Sequence, residues 1–369
     1  MRPTLFCIRP KGFNVGNDVI SLGLEHFIQR AFGQSVNLIT LPATSRYESH
    51  AKAGLTSRTV HEINQYGHGV IVGGGNLYEN GELEVDPWAL ETLEPPLMLF
   101  SLSSGRIYNH RRELVRRTDA MRPELIRALD QRADFSLTRD DRTTAYLREL
   151  GCEKSVTGGC PTVYLDQTRE SLPPLPNADR GGVLISLRAP SLMNIPLPLQ
   201  SRVRRDLEGL IQLCRERGHS RVRLLCHDQR DISFAASFSG IEYVYMSDAR
   251  NYLSLLANCD LNITFRLHSF LPCLSLDVPT VAISYDERAS ALIESLGFGD
   301  WNINLVRESN LVSAVAGRLD NLDELSAHRS RATPVWGRLE KQMSETFAAF
   351  AEQVSTFAGE GYDAGSCYR

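Results

Sequence analysis

Asp260-Leu-Asn-Ile-Thr-Phe-Arg-Leu-His-Ser-Phe-Leu-Pro-Cys-Leu-Ser-Leu276 runs from a short apolar, β-branched stretch straight into a segment of helical spacing. A strand that hands over to a helix in one corner is half of a parallel βαβ unit. The corner itself, Thr264-Phe-Arg-Leu-His-Ser269, holds a permanent cation, Arg266, beside a titratable imidazole, His268. It lies beyond the carboxyl end of a strand, where open α/β sheets take up small molecules.

The same alternation extends in both directions. The expected strands of the first half are Leu5–Ile8, Val36–Thr40, Gly69–Val72, Leu97–Ser101 and Phe135–Leu137. Those of the second half are Val183–Leu187, Arg221–Cys226, Ile241–Tyr245, Leu261–Phe265 and Thr280–Ser284. Between them, Asp166 to Gly182 is polar and rich in Pro and Gly, matching neither periodicity. The chain has 369 residues, more than the roughly 250 to 300 that a single core organises. The expected division is a domain over residues 1–166, a linker over 167–182 and a second domain over 183–332. After Pro334, apolar residues at Val335, Leu339, Met343, Phe347, Phe350 and Val354 predict a long closing helix over 333–358, with a tail over 359–369.

Composition narrows the partners. A net charge of −4 and a pI near 6.2 give no electrostatic reason to expect nucleic acid or an acidic membrane surface. No stretch approaches the roughly 20 apolar residues needed to span a bilayer. The first ten residues lack an apolar signal core, so the expected setting is cytoplasmic and the expected partner small. Eight cysteines form no CxxC pair, and most sit in apolar runs, which suits reduced buried thiols. With no HExxH and no suitable carboxylate cluster, no metal is expected; there is also no GxSxG elbow and no phosphate-binding P-loop.

Polar residues collect after the strands. Phe13-Asn-Val-Gly-Asn-Asp18 precedes a helix, where Asn17 and Asp18 read either as cap and dipole partner or as ligand-facing groups. Gly73-Gly-Gly-Asn76, including Gly74 and Gly75, reads either as close packing or as backbone approaching a ligand. Arg139, Arg188 and Arg266 end three strands, and guanidinium grips carboxylate and phosphate in a two-pronged geometry. His227 and Asp228 either meet a ligand or hold each other in a loop, while Tyr285-Asp-Glu-Arg288 follows the last strand. A helix N-terminus and a neighbouring cation both keep His268 neutral until an anion binds, behaviour suited to a general acid.

Taken in order, these motifs resemble the polysaccharide pyruvyl transferase family. The resemblance runs from Asn14 to about Gly297 through Val70-Ile-Val-Gly-Gly-Gly-Asn76, Thr138-Arg-Asp140, Thr157-Gly-Gly-Cys-Pro161, Ile185-Ser-Leu-Arg188, Arg266-Leu-His268 and Val278-Pro-Thr-Val-Ala-Ile-Ser-Tyr-Asp286. It implies an α/β fold of two Rossmann-like domains with parallel sheets facing across a cleft, as in GT-B glycosyltransferases. It implies transfer of the enolpyruvyl carbons of phosphoenolpyruvate to sugar hydroxyls as a ketal, in polysaccharide biosynthesis. Phosphoenolpyruvate is then a co-substrate and no cofactor is expected; the acceptor is a sugar, a glycan or a lipid-linked sugar. On these residues His268 would be the acid, with Arg266, Arg188, Arg139 and Arg288 holding the donor. Asn17, Asp18, Gly74, Gly75, Asn76, His227 and Asp286 would line the cleft or meet the acceptor. The chain departs from the family pattern at Cys160-Pro161, usually Asp-Pro, and at Arg288, often Lys. The alternative is a GT-B enzyme in which the same corner binds a nucleotide sugar.

Overall fold

A computed structural model describes residues 2–47 and 52–365, with side chains for 2–46 and 52–359. Its first sheet is six parallel strands, β1 (Thr4–Arg9), β2 (Asn37–Pro42), β3 (Gly69–Gly75), β4 (Leu97–Leu102), β7 (Phe135–Thr138) and β8 (Ser155–Thr157). A small hairpin, β5 (Ile107–Tyr108) and β6 (Leu114–Val115), projects after β4. The second sheet is also parallel, with β9 (Val183–Ser186), β10 (Val222–Cys226), β11 (Glu242–Tyr245), β12 (Leu261–Thr264), β13 (Thr280–Ser284) and β14 (Ile303–Asn304).

Helices cover the sheets in the order α1 (Val15–Phe32), α2 (Ser57–Tyr66), α3 (Pro87–Glu91), α4 (Pro123–Arg132), α5 (Asp141–Glu149), α6 (Leu197–Glu216), α7 (Ile232–Ala236), α8 (Ala249–Ala257), α9 (Leu267–Ser275), α10 (Glu287–Ser295), α11 (Leu311–Asp320) and α12 (Asp323–Gly365). All ten expected strands are present: the central ones, buried on both faces, are continuous apolar runs such as Leu97-Met-Leu-Phe100, while the partly exposed edge strands β2 and β11 are marked by β-branched or aromatic residues. The edge strands β8 and β14 were not expected; they are three and two residues long and carry no apolar run.

Strand order places the site. The first sheet runs β2-β1-β3-β4-β7-β8 and reverses between β1 and β3; the second runs β11-β10-β9-β12-β13-β14 and reverses between β9 and β12. Such switch points open crevices beyond the strand ends. Ser186 is in register with Thr264, so Arg188 and Arg266, each two residues further on, emerge beside one another at the second crevice.

Two expectations change here. The closing helix begins at Asp323, not 333, and passes through Pro334. It continues to Gly365, so residues 359–365 are helix rather than tail, while 366–369 lie outside the described residues. Its later turns return to the first sheet: Phe347 packs on Phe27 and Phe100, Phe350 on Phe135, and Val354 is fully buried.

The glycine run is partly a packing device. A Cβ on Gly73 would run into the Phe100 carbonyl of the neighbouring strand, with the carbonyl carbon only 2.8 Å away. Gly73→Ala should therefore destabilise by about 3 kcal/mol, since β3 and β4 cannot separate without losing their ladder. Denaturant unfolding measures this, and a change below about 1 kcal/mol contradicts it.

Candidate active site

A cleft of about 340 Å³ lies between the two sheets, within the size range of small-molecule sites. Nine Lys or Arg residues and only four carboxylates line it, so its field favours an anion. Each sheet contributes at its switch point. The β1–α1 loop brings Asn14, the first turn of α1 brings Asn17, the β3 end brings Gly75, Asn76 and Glu79, the β9 end brings Arg188, and the β12–α9 corner brings Arg266 and His268.

His268 stands in the first turn of α9, in a locally non-helical conformation, with Arg266 as the N-cap residue. Backbone and neighbours fix its position. Tyr252 on α8 donates its hydroxyl to the His268 carbonyl at 3.1 Å. Since that hydroxyl has one hydrogen, the buried His227 donates from Nε2 to Tyr252 at 2.9 Å. On the other side α1 comes so near that a Cβ on Gly16 would lie 3.0 Å from His268 Cβ and 3.1 Å from its Nδ1. The buried Cys160 thiol is 3.9 Å from His268 Nε2.

Charge surrounds this imidazole from both halves. Burial, then Arg139 of the first half, then Arg288 and Arg266 of the second, hold the His268 pKa well below the ordinary histidine value. His227 is held low by burial and by Arg266. Both rings are therefore neutral around pH 7 in the absence of a bound anion.

The arginines differ in how far their charge is already matched. Arg188 Nη1 donates to Asp228 at 3.0 Å, and Arg230 grips the same carboxylate with two bonds. Arg266, 8% exposed, donates to Asn14 Oδ1 at 3.1 Å, with Asp231 at 3.9 Å. Arg288 pairs with Asp286 at 2.9 Å and faces Glu79 at 3.4 Å. Arg139, 1% exposed, donates one Nη to Ser103 at 2.6 Å, and its Nε has no partner. Within the described residues no carboxylate lies within 4.0 Å of the Arg139 guanidinium. Arg106 and Glu287 tie the halves together beside the site through bonds of 2.8, 2.5 and 3.0 Å.

Most expected site residues thus converge: His268, Arg266, Arg188, Arg139, Arg288, Asn17, Gly75, Asn76, His227 and Asp286 all line the cleft. Asp18 does not; it is turned to Arg9 at 2.8 Å. Gly74 does not line it either; with φ +87° it backs onto Ile20 of α1. Asn17 is not the α1 cap, which is Asn14 accepting from Gly16 N at 3.1 Å. His227 and Asp228 do not hold one another, because Tyr252 and the arginines hold them separately. Sequence reading missed Glu79, Arg106, Arg117 and Arg230, which enter the site from loops without a motif of their own.

No group of three His, Cys, Asp or Glu is placed to hold a metal ion among the described residues. No helix among them is long and apolar enough to cross a membrane.

The fold is similar to solved nucleotide-sugar enzymes. The UDP-GlcNAc 2-epimerase of Neisseria meningitidis superposes with a TM-score of 0.56 at 9% identity, over 93% of this chain and 99% of that one. The UDP-N-acetylglucosamine 2-epimerase of Rickettsia bellii gives 0.55 at 12% identity, over 95% and 98%. These likenesses establish the GT-B-like architecture. In sequence, the amylovoran biosynthesis protein AmsJ of Erwinia amylovora is 31% identical over 80 residues, 21% of this chain; the match spans about a fifth (19%) of that protein's length. The model of the family described as polysaccharide pyruvyl transferase matches residues 14–287, a span that contains Arg139, Arg188, Arg266 and His268, and the chain belongs to that family.

Proposed function

We propose that this transferase moves the enolpyruvyl group of phosphoenolpyruvate onto hydroxyls of a sugar or glycan precursor, forming a ketal and releasing phosphate. The observation that carries this reading is the imidazole of His268 set among three guanidiniums drawn from both halves of the chain. Phosphoenolpyruvate bears a carboxylate and a phosphate, and two-pronged arginines match both. Its negative charge beside His268 offsets the cations that keep the ring neutral, so the proton arrives with the substrate.

The chemistry then follows in order. His268 gives its proton to the methylene carbon, and C2 gains oxocarbenium character. A sugar hydroxyl attacks C2, the bond from C2 to the phosphate oxygen breaks, and a second hydroxyl closes the ketal. Arg266, Arg188, Arg139 and Arg288 hold the donor and stabilise the departing phosphate. The β1–α1 loop and the β3 end face the acceptor.

The test uses two ligands and one product. Phosphoenolpyruvate should raise the melting temperature, because a ligand stabilises the native state in proportion to its occupancy. It should also release phosphate when methyl hexopyranosides with free hydroxyl pairs are supplied. Stabilisation by UDP-GlcNAc and not by phosphoenolpyruvate would overturn the proposal in favour of a nucleotide-sugar donor.

A further inference from the structure

Ketal formation takes a proton from each of two hydroxyls; one goes to the methylene carbon and one leaves with phosphate. His268 donates the first and can afterwards take back only one. When the first hydroxyl attacks, its proton needs an acceptor on the sugar's side of the cleft.

Glu79 stands there. It follows the β3 glycines, lines the cleft and is 6% exposed. Its Oε2 accepts from Gly105 N at 3.0 Å and from Ser103 Oγ at 3.3 Å. Ser103 Oγ in turn accepts from Arg139 at 2.6 Å and shares its one hydrogen between Glu79 Oε2 and the Gly75 carbonyl at 3.4 Å. Oε1 faces Arg288 Nη1 at 3.4 Å, so of the contacts to this carboxylate only that from Gly105 N lies within the usual hydrogen-bond range. A group held in this way is oriented by donors and can still accept a proton on Oε1.

We infer that Glu79 is the general base that takes the proton of the acceptor hydroxyl attacking C2. The inference rests on the pyruvyl transfer proposed above. The hydroxyl O–H bond breaks, its electron pair forms the new C–O bond at C2, and the proton rests on Glu79 until it passes to the departing phosphate or to water. The environment agrees. Burial, with Asp286 adding to it, pushes Glu79 up to about 7 against the pull of Arg288 and Arg139; Arg117 also faces it. A carboxylate near 7 is a stronger base than an ordinary one and is still partly ionised at neutral pH. Burial displaces His268 the opposite way, disfavouring its cation, while the arginines lower both groups.

A purely structural role is the competing account, with Glu79 as a strut to Arg288 like Glu287 to Arg106. The two differ in what a substitution changes. With phosphoenolpyruvate and methyl hexopyranosides, wild-type phosphate release should rise with pH through about 7 as Glu79 ionises. Glu79→Gln should lower kcat by about 10² to 10³-fold and remove that rising limb, while phosphoenolpyruvate still raises the melting temperature. In Glu79→Ala, added formate should restore part of the rate where chloride at equal ionic strength does not. Retention of kcat within about threefold in Glu79→Gln, or a Glu79→Ala defect that formate leaves unchanged, overturns the assignment. If the wild type neither binds phosphoenolpyruvate nor releases phosphate, the transfer reading itself fails and the base assignment falls with it.

Discussion

Replacing His268 by Gln should lower phosphate release from phosphoenolpyruvate by about 10³-fold while the donor still raises the melting temperature. Gln fills much of the imidazole's volume and can accept and donate hydrogen bonds, but it has no proton to give at neutral pH. General acid catalysis contributes roughly 10² to 10⁴-fold, and the surrounding arginines cannot take over protonation of the carbon, because they hold their protons at any working pH. Binding should be spared, because in the proposed reaction the arginines meet the donor's charges. The depressed pKa of His268 gives a second readout. At pH 7 the free ring is neutral, so binding of phosphoenolpyruvate should draw about one proton more from solution in the wild type than in His268→Gln. Calorimetry in two buffers of different ionisation enthalpy measures that uptake. A fully active His268→Gln, or equal proton uptake in both proteins, would falsify the acid assignment.

How far the chain could be read without coordinates depended on whether a feature was local. Val183-Leu-Ile-Ser186 and Thr280-Val-Ala-Ile-Ser284 announce buried parallel strands because both of their faces are covered. The arginines at the strand ends follow from the same pattern, since a polar residue directly after such a run must lie at the sheet's edge. Partners from distant parts of the chain were not legible. His227 meets Tyr252 of α8, and Asp228 meets Arg188 and Arg230. Glu79 gained its significance only through burial and through Arg288 from the other half of the chain. Pro334 suggested a helix start, yet α12 runs through it. The lost hydrogen bond is one term against the packing of a helix whose Met343, Phe347, Phe350 and Val354 are all fully buried.

The departure at Cys160 also has a place in this geometry. A family aspartate there would set a negative charge beside the ring and raise its pKa, whereas the Cys160 thiol, itself pushed up by burial, stays neutral. In the proposed reaction His268 would then depend on the bound anion for its proton.

Arg139→Ala should weaken phosphoenolpyruvate binding by about 100-fold or more. Arg188 and Arg288 each have a carboxylate at 3.0 Å or closer, but Arg139 is buried with a hydroxyl as its cleft-side partner and an unsatisfied Nε. A buried guanidinium without a counter-ion is costly, and an arriving carboxylate or phosphate removes that cost. Truncating one member of such a buried charge pair typically costs about 2 to 5 kcal/mol. Arg139→Lys should not restore affinity, because a point charge cannot offer the two parallel bonds of the fork. The same substitution should alter acid sensitivity in a direction that the electrostatics fix. His268 has a folded pKa below its unfolded value of about 6.5, so the unfolded chain binds more protons and stability falls as pH drops below that value. Arg139 is the foremost cation depressing it. Its removal lets the folded pKa rise towards the unfolded one and shrinks the loss. The fall in melting temperature between pH 7 and pH 5.5 should therefore be smaller in Arg139→Ala than in the wild type, even as donor affinity collapses. A variant with wild-type affinity for phosphoenolpyruvate, or with a steeper acid loss, would show that Arg139 neither receives the donor nor sets the charge state of His268.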